Sequence, residues 1–147
     1  MDTIDERILQ ELEQDGRISN KPLAERVSMT TSACMRRDQE LERNGIIVGY
    51  RAVLDRRRLG AALSVFVIVG LAGHLKKDAR AFEAAMQAAP EVRECHNITG
   101  SVEYLLRVEA GSLEDYKRFH SESLGTLAQV QSITSYIALG SPKDLRA

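Results

Sequence analysis

Tryptophan is absent from this chain, and its 147 residues include only two cysteines, three prolines and 5% aromatics. Cysteines as far apart as Cys34 and Cys95 do not make a disulfide framework. The histidines His74, His96 and His120 come no closer to a cysteine than the neighbours Cys95-His96. Adjacent strand residues point to opposite faces and do not readily share one ion, so no metal site is assigned. His96 has no visible acid partner. No apolar run approaches the roughly 20 residues that span a bilayer. Met1-Asp2-Thr3-Ile4-Asp5-Glu6 also lacks the basic-then-apolar order of a signal peptide. The expectation is a cytoplasmic protein with no membrane partner. No nucleophile and base pair, phosphate loop or metal cluster can be picked out, so an enzyme is disfavoured and no catalytic residue is assigned.

What is present is the composition of a globular protein, 44% hydrophobic and 28% charged, at a length that suits one ordinary domain or two small ones. The formal charge is only −1, but it is unevenly spread. From Arg17 to Arg58 there are ten basic and five acidic residues, a local excess of +5 that marks a polyanion-binding segment.

That segment contains Pro22 to Asn44, which reads as two helices and a tight turn. Leu23, Ala24 and Val27 form a short helical stripe, Ser28-Met29 interrupts it, and Thr30 offers a hydroxyl cap to a second helix ending at Asn44-Gly45. This is helix-turn-helix spacing. At about 100° per residue, the second helix puts Cys34, Asp38 and Leu41 on one face and Ser32, Arg36, Gln39 and Arg43 on the other. Arginine reads guanine or phosphate and glutamine reads adenine, so Ser32, Arg36, Gln39 and Arg43 are base-reading candidates. The N–H groups of Thr31 and Ser32 suit a phosphate. Lys21, Arg37 and the run Arg56-Arg57-Arg58 suit either phosphate or structural pairing. The bland alternative is a solvated face on an ordinary helical pair. Ahead of this pair, a capping-box pattern at Thr3 to Glu6 opens a first helix with Ile4, Ile8, Leu9 and Leu12 at helical spacing; its acidic residues make it a brace rather than a phosphate partner. Ser19 is the expected cap of the second helix, with Pro22 in its first turn.

After Gly45 the pattern changes. Ile46 to Leu54 is rich in β-branched residues and predicts an extended strand leading out of the helical unit. The order from Ala62 is strand, helix, strand, strand, helix, strand: Leu63 to Leu71, Asp78 to Ala89, Val92 to Thr99, Glu103 to Glu109, a helix from Ser112 with Leu113, Tyr116, Phe119, His120 and Leu124 on its buried side, and Val130 to Leu139. This βαββαβ order predicts a four-stranded antiparallel sheet with both helices on one face, a ferredoxin-like arrangement in an α+β protein. Ser64, Phe66, Ile68 and Gly70 alternate with Val65, Val67, Val69 and Leu71, so both faces of the first strand carry apolar groups. With helices on one side only, the other face calls for a second copy of the chain. The expected domains are 1–49, a three-helix (winged) helix-turn-helix; 50–61, strand and linker; and 62–147, the ferredoxin-like domain.

Six motifs in register resemble one family: Gly16-Arg17-Ile18-Ser19, Leu23-Ala24-x-x-Val27, Cys34-Met35-x-Arg37, Leu41-Glu42-x-x-Gly45-Ile46-Ile47-x-Gly49-Tyr50, Glu94-Cys95-His96, and Gly100-Ser101-Val102-Glu103-Tyr104-Leu105-Leu106. The chain is similar to the leucine-responsive regulatory protein / asparagine-synthesis regulator (Lrp/AsnC) family of feast/famine regulators. The resemblance implies a bacterial or archaeal transcription regulator that binds double-stranded DNA, forms homodimers through its sheets, assembles dimers into tetramers or octamers, and takes an amino-acid effector between dimers. It places the effector near Gly100, Ser101, Glu103 and Tyr104 of one chain and the last strand of a neighbour, here Gln131, Ser132 and Thr134.

Three departures matter. Where the family has glycine in the turn this chain has Ser28, and a positive φ there costs a non-glycine residue of order 1 kcal/mol. Asp38 stands where an aliphatic residue is usual, which places it at the edge of the buried stripe or beside an arginine. The usual Gly-Asp of the effector loop is Gly100-Ser101, with Glu103 at the second acidic position; read without the resemblance, that loop is a hairpin turn. The leading expectation is an amino-acid-responsive DNA-binding regulator on the nucleoid. The alternatives are an effector-independent architectural DNA-binding protein and, further back, a small ferredoxin-like enzyme.

Overall fold

Asp2, not Thr3, caps the first helix. Its carboxylate accepts the N–H groups of Ile4 and Asp5, and the Asp5 carboxylate accepts the Asp2 N–H in return, an acidic capping box one residue ahead of the Thr3 pattern. In this computed structural model residues 1–145 are described; residues 146 and 147 of the expected C-terminal domain lie outside them. The chain divides into two compact units at Val53–Leu54.

The first unit holds three helices, α1 (Thr3–Gln14), α2 (Asn20–Arg26) and α3 (Thr31–Arg43). Ile8, Leu23, Ala24, Val27, Cys34 and Leu41 form its core, with Ile4, Leu9, Leu12, Ile18, Met29 and Ile47 packed around them. Ser19 stands at the α2 N-cap without a side-chain hydrogen bond. The Thr30 hydroxyl caps α3 by accepting the Ala33 N–H. Both α2 and α3 end in a Schellman motif. After α2, Ser28 donates to Glu25 and Met29 to Ala24; after α3, Gly45 donates to Glu42 and Ile46 to Leu41. The left-handed residue is Gly45 (φ 71°) in one and Ser28 (φ 59°) in the other, so Ser28 carries the strain that its place in the turn implies.

The expected strand at 46–54 is not formed. Residues 46 and 47 form a bend whose N–H groups both donate to the Leu41 carbonyl, 48–54 form no ladder, and Val48 and Val53 are largely exposed. β-branched composition favours extension, but a strand needs a partner, and none among the described residues pairs with it.

The second unit is the βαββαβ fold: β1 (Leu63–Leu71), α4 (Lys76–Ala88), β2 (Val92–Asn97), β3 (Tyr104–Ala110), α5 (Leu113–Phe119) and β4 (Val130–Ile137), antiparallel in the order β2-β3-β1-β4. Val65, Val67, Val69, Leu106 and Val108 face the helices and bury against Phe82, Met86, Tyr116, Phe119 and Leu124. Leu113 is exposed rather than buried. Residues His120–Leu124 form a π-helical turn closed by the Gly125 N–H on the His120 carbonyl; the extra residue shifts the phase of the helix and Leu124 still reaches the core. The register puts Ser64, Phe66, Ile68 and Gly70 on the opposite face, level with Leu105 and Arg107 of β3 and Ser132, Thr134 and Tyr136 of β4. No helix among the described residues is long and apolar enough to cross a membrane.

Candidate DNA-reading helix and effector loop

The helical projection of α3 and its three-dimensional setting agree. Cys34 and Leu41 are buried, while Ser32, Arg36, Gln39 and Arg43 are exposed along one row, with Thr31 exposed at the helix start and Lys21 exposed on α2. Arg36 is held only loosely, 3.7 Å from Glu40, with 68% of its side chain exposed. An arginine and a glutamine on a rigid, outward helix face present fork-shaped donors and an amide at the reach that base edges require.

Arg37 takes the structural of its two roles. Its guanidinium lies 2.7 Å from Asp2 and 2.9 Å from Asp5, tying α3 to the start of α1. The Asp5 N–H and the Arg37 guanidinium together hold the Asp2 carboxyl below its usual range. Of the arginine run, Arg56 pairs with Glu109 at 2.8 Å and Arg58 with Asp55 at 3.3 Å, leaving Arg57 exposed. Asp38 sits half-buried at the edge of the stripe. Its Oδ1 is buried without a hydrogen-bond partner among the described residues. Burial raises its pKa, Glu42 adds to the rise, and the neighbouring Tyr50 hydroxyl opposes it. The Tyr50 hydroxyl donates to Glu42 at 3.1 Å, and its own pKa is pushed up to about 12, chiefly by burial.

In the second unit the candidate effector residues separate into two groups. Gly100, with φ 119°, and Ser101 are exposed in the β2–β3 connection. Glu103 is half-buried at the start of β3, and its Oε2 accepts the Leu71 N–H at 2.7 Å. Ser132 lies close by in the same chain. A Cβ on Gly70 would collide with Ser132 Oγ and stand 3.7 Å from Glu103 Oε2, so Gly70 is what lets β1, Glu103 and Ser132 meet. Thr134 is exposed across from Ile68, and Gln131 falls in the irregular step of the β1–β4 ladder, where Ser132 pairs Gly70 and Val130 pairs Leu71.

Tyr104 does not join them. It is 1% exposed, under the helices, 4.6 Å from the Phe82 ring, and its hydroxyl donates to Glu83 of α4 at 2.9 Å. Strand alternation explains this: with Glu103 turned to one side, its neighbour must turn to the other. His96 has an acid partner after all, Glu94 at 3.2 Å.

Two features escaped the sequence reading. Gly70 was legible as a glycine inside an apolar strand, the mark of a close approach. Arg107, in the middle of Leu105-Leu106-Arg107-Val108, was legible as a charge in a central strand that must find partners. It finds Glu109 and Asp144 at 3.2 Å each and Glu94 at 3.8 Å, and with Arg56 these make a largely buried ionic cluster at the end of β3 opposite the effector loop.

A helix-turn-helix with an outward basic and amide row, together with a ferredoxin-like sheet bare on one face, defines a DNA-binding regulator with a ligand-sensing domain. Residues 1–48 match the winged helix-turn-helix DNA-binding family model, and residues 64–147 match that of the Lrp/AsnC ligand binding domain. The chain is 37% identical over 144 residues to the leucine-responsive regulatory protein of Salmonella typhimurium, covering 98% of this chain and 88% of that one. Among solved structures, a Neisseria meningitidis transcriptional regulator in complex with L-Met superposes with a TM-score of 0.94 at 32% identity, over 98% of this chain and 93% of that one. An AsnC family transcriptional regulator from Agrobacterium tumefaciens superposes with a TM-score of 0.93 at 30% identity, over 98% and 94%. The chain belongs to the Lrp/AsnC family. It is a DNA-binding transcriptional regulator and not an enzyme.

Proposed function

We propose that this chain is a homo-oligomeric regulator that binds roughly palindromic DNA through α3 of each protomer and alters its DNA affinity or assembly when a free amino acid binds at the effector loop. Ser32, Arg36, Gln39 and Arg43 read base edges, and Lys21 with the N–H groups of Thr31 and Ser32 holds phosphate. Arg37 acts by fixing α3 on α1. Gly100 lets a ligand approach the backbone, Ser101 and Glu103 offer a hydroxyl and a carboxylate for its ammonium, and Gln131, Ser132 and Thr134 supply further polar groups. Tyr104 contributes only through Glu83. Two copies join through the face carrying Phe66, Ile68 and Leu105, and dimers build tetramers or octamers. The working place is the cytoplasm, on the nucleoid.

The observation that carries this reading is the outward row of Ser32, Arg36, Gln39 and Arg43 on a helix whose other face buries Cys34 and Leu41 in the core. The amino-acid part is supported by the L-Met complex of the Neisseria relative. The test is fluorescence anisotropy on a DNA fragment selected from random sequence, with and without L-methionine and the other common amino acids, beside sedimentation velocity of the free protein. A shift in affinity or sedimentation with at least one of them is expected. If specific DNA binding persists and no amino acid moves either quantity, the effector-independent architectural reading replaces this one. That second reading draws on Ser101 replacing the family's acidic residue and on Glu103 already accepting the Leu71 N–H.

A further inference from the structure

Met35 of α3 is 42% exposed and belongs to neither hydrophobic core among the described residues. The residues three and four positions from it along the helix are Thr31, Ser32, Asp38 and Gln39, all polar, so no apolar neighbour on α3 covers it. At about 100° per residue it stands about 40° from Gln39 and about 60° from Ser32 around the axis, on one flank of the outward row. The other flank is taken by Glu40, which reaches Arg36 at 3.7 Å.

A lone exposed apolar side chain is ordinary on a protein surface. The place of this one is not. Met35 is the fifth residue of α3, which runs from Thr31, and the N-terminal part of a recognition helix is the part that meets base edges. Hydrogen-bonding groups dominate those edges in the major groove, and the C5-methyl of thymine is the apolar group among them. A helix rises about 1.5 Å per residue and base pairs stack about 3.4 Å apart. Met35 is therefore about 4.5 Å along the axis from Ser32 and about 6 Å from Gln39, one to two base pairs from each. Its unbranched, polarizable thioether chain adapts to a small apolar group without demanding a single rotamer.

We propose that Met35 is a specificity-determining residue, whose side chain packs on the C5-methyl of one thymine in each half-site, within about two base pairs of the pair that Gln39 meets. This rests on the reading of α3 as the DNA-reading helix and adds a base that its polar row leaves unread. A phosphate or a guanine edge offers Met35 no apolar surface, so the effect falls on sequence preference and not on general affinity.

The test removes the methyl group and keeps the base pair. In a DNA fragment selected from random sequence, each thymine of a half-site is replaced in turn by deoxyuridine, which pairs identically but lacks the C5-methyl. Binding of the full chain is read by fluorescence anisotropy. At one thymine position affinity should fall about fourfold, the worth of burying one methyl group. Changing that position in both half-sites should cost about fifteenfold, since distant sites add. In Met35→Ala this sensitivity should vanish, and in Met35→Leu, which keeps an apolar side chain, it should remain; should Met35→Ala unfold by circular dichroism, Met35→Gln decides in its place. A loss that persists undiminished in Met35→Ala overturns the proposal. So does a Met35→Ala variant that loses the same factor on specific and non-specific DNA, because thymine recognition is confined to the site. A selected sequence indifferent to deoxyuridine at every position overturns the role of Met35 alone, whereas a selection that returns no preferred sequence overturns the reading of α3 and the role of Met35 with it.

Discussion

Replacing Ser28 by glycine should stabilise the helix-turn-helix unit, and the chain carries its own control for the argument. α2 and α3 end in the same Schellman motif, one with Gly45 at φ 71° and the other with Ser28 at φ 59°. A residue with a Cβ in the left-handed region costs roughly 1–2 kcal/mol. Glycine removes that cost but gives back roughly 0.5–1 kcal/mol through the greater freedom of the unfolded chain. The net gain for Ser28→Gly is therefore about 0.5–1 kcal/mol. Ser28→Ala keeps the Cβ, and no side-chain hydrogen bond holds Ser28 among the described residues, so it should stay within about 0.5 kcal/mol of the parent. The assay is native-state hydrogen exchange at the Met29 amide, which donates to Ala24 across the turn and reports the unit directly even though the chain has two units. Protection should rise about two- to fivefold in Ser28→Gly, the equivalent of that gain. Equal protection in the glycine and alanine variants would refute the claim that the turn is strained by its Cβ.

Other consequences follow from the same geometry. Burial raises the Asp38 pKa in the folded unit, so the folded state binds the proton more tightly than the unfolded one. This group's contribution to stability therefore falls as pH rises from the unfolded carboxylate range through the raised folded value. Asp38→Leu should stabilise the unit by about 1–3 kcal/mol at neutral pH, with a gain that shrinks on acidification in thermal melts; a gain independent of pH would contradict the buried-carboxylate account. Arg36→Ala should cost about 1–3 kcal/mol in specific DNA affinity and relax sequence preference in a binding-selection assay, with a smaller loss on non-specific DNA; equal losses on both would make Arg36 a phosphate contact. Glu109→Gln, at a side chain 6% exposed between Arg56 and Arg107, should cost about 3–5 kcal/mol, because it leaves buried guanidinium charge without its main partner. Urea unfolding of the second unit measures it, and a loss below about 1 kcal/mol would place the cluster in effectively aqueous surroundings.

Local signals carried far in this chain. The Thr30 cap, the Cys34–Leu41 stripe and Gly45 set α3 and its outward row from sequence, because capping, helical spacing and left-handed turns involve residues within a few positions of each other. The valine alternation in Leu63–Leu71 and the turns between elements likewise made the βαββαβ order readable, since burial period and strand length are local properties. Even the strain at Ser28 and the awkwardness of Asp38 were visible as the wrong residue type for the place.

Decisions taken between distant residues were not readable. Arg37 looked equally fit for phosphate until α1 brought Asp2 and Asp5 against it from more than thirty positions away. Tyr104 stood in the effector motif, yet the phase of β3 turned it into the core and onto Glu83. The stretch 46–54 had the composition of a strand but no strand to pair with among the described residues, because composition supplies only a preference for extension and a ladder needs a second strand. The sequence by itself determined the three helices, the βαββαβ order and the family. The tertiary structure alone decided which charges are free and which face each side chain joins, because pairing and burial depend on residues that meet only after the chain has folded.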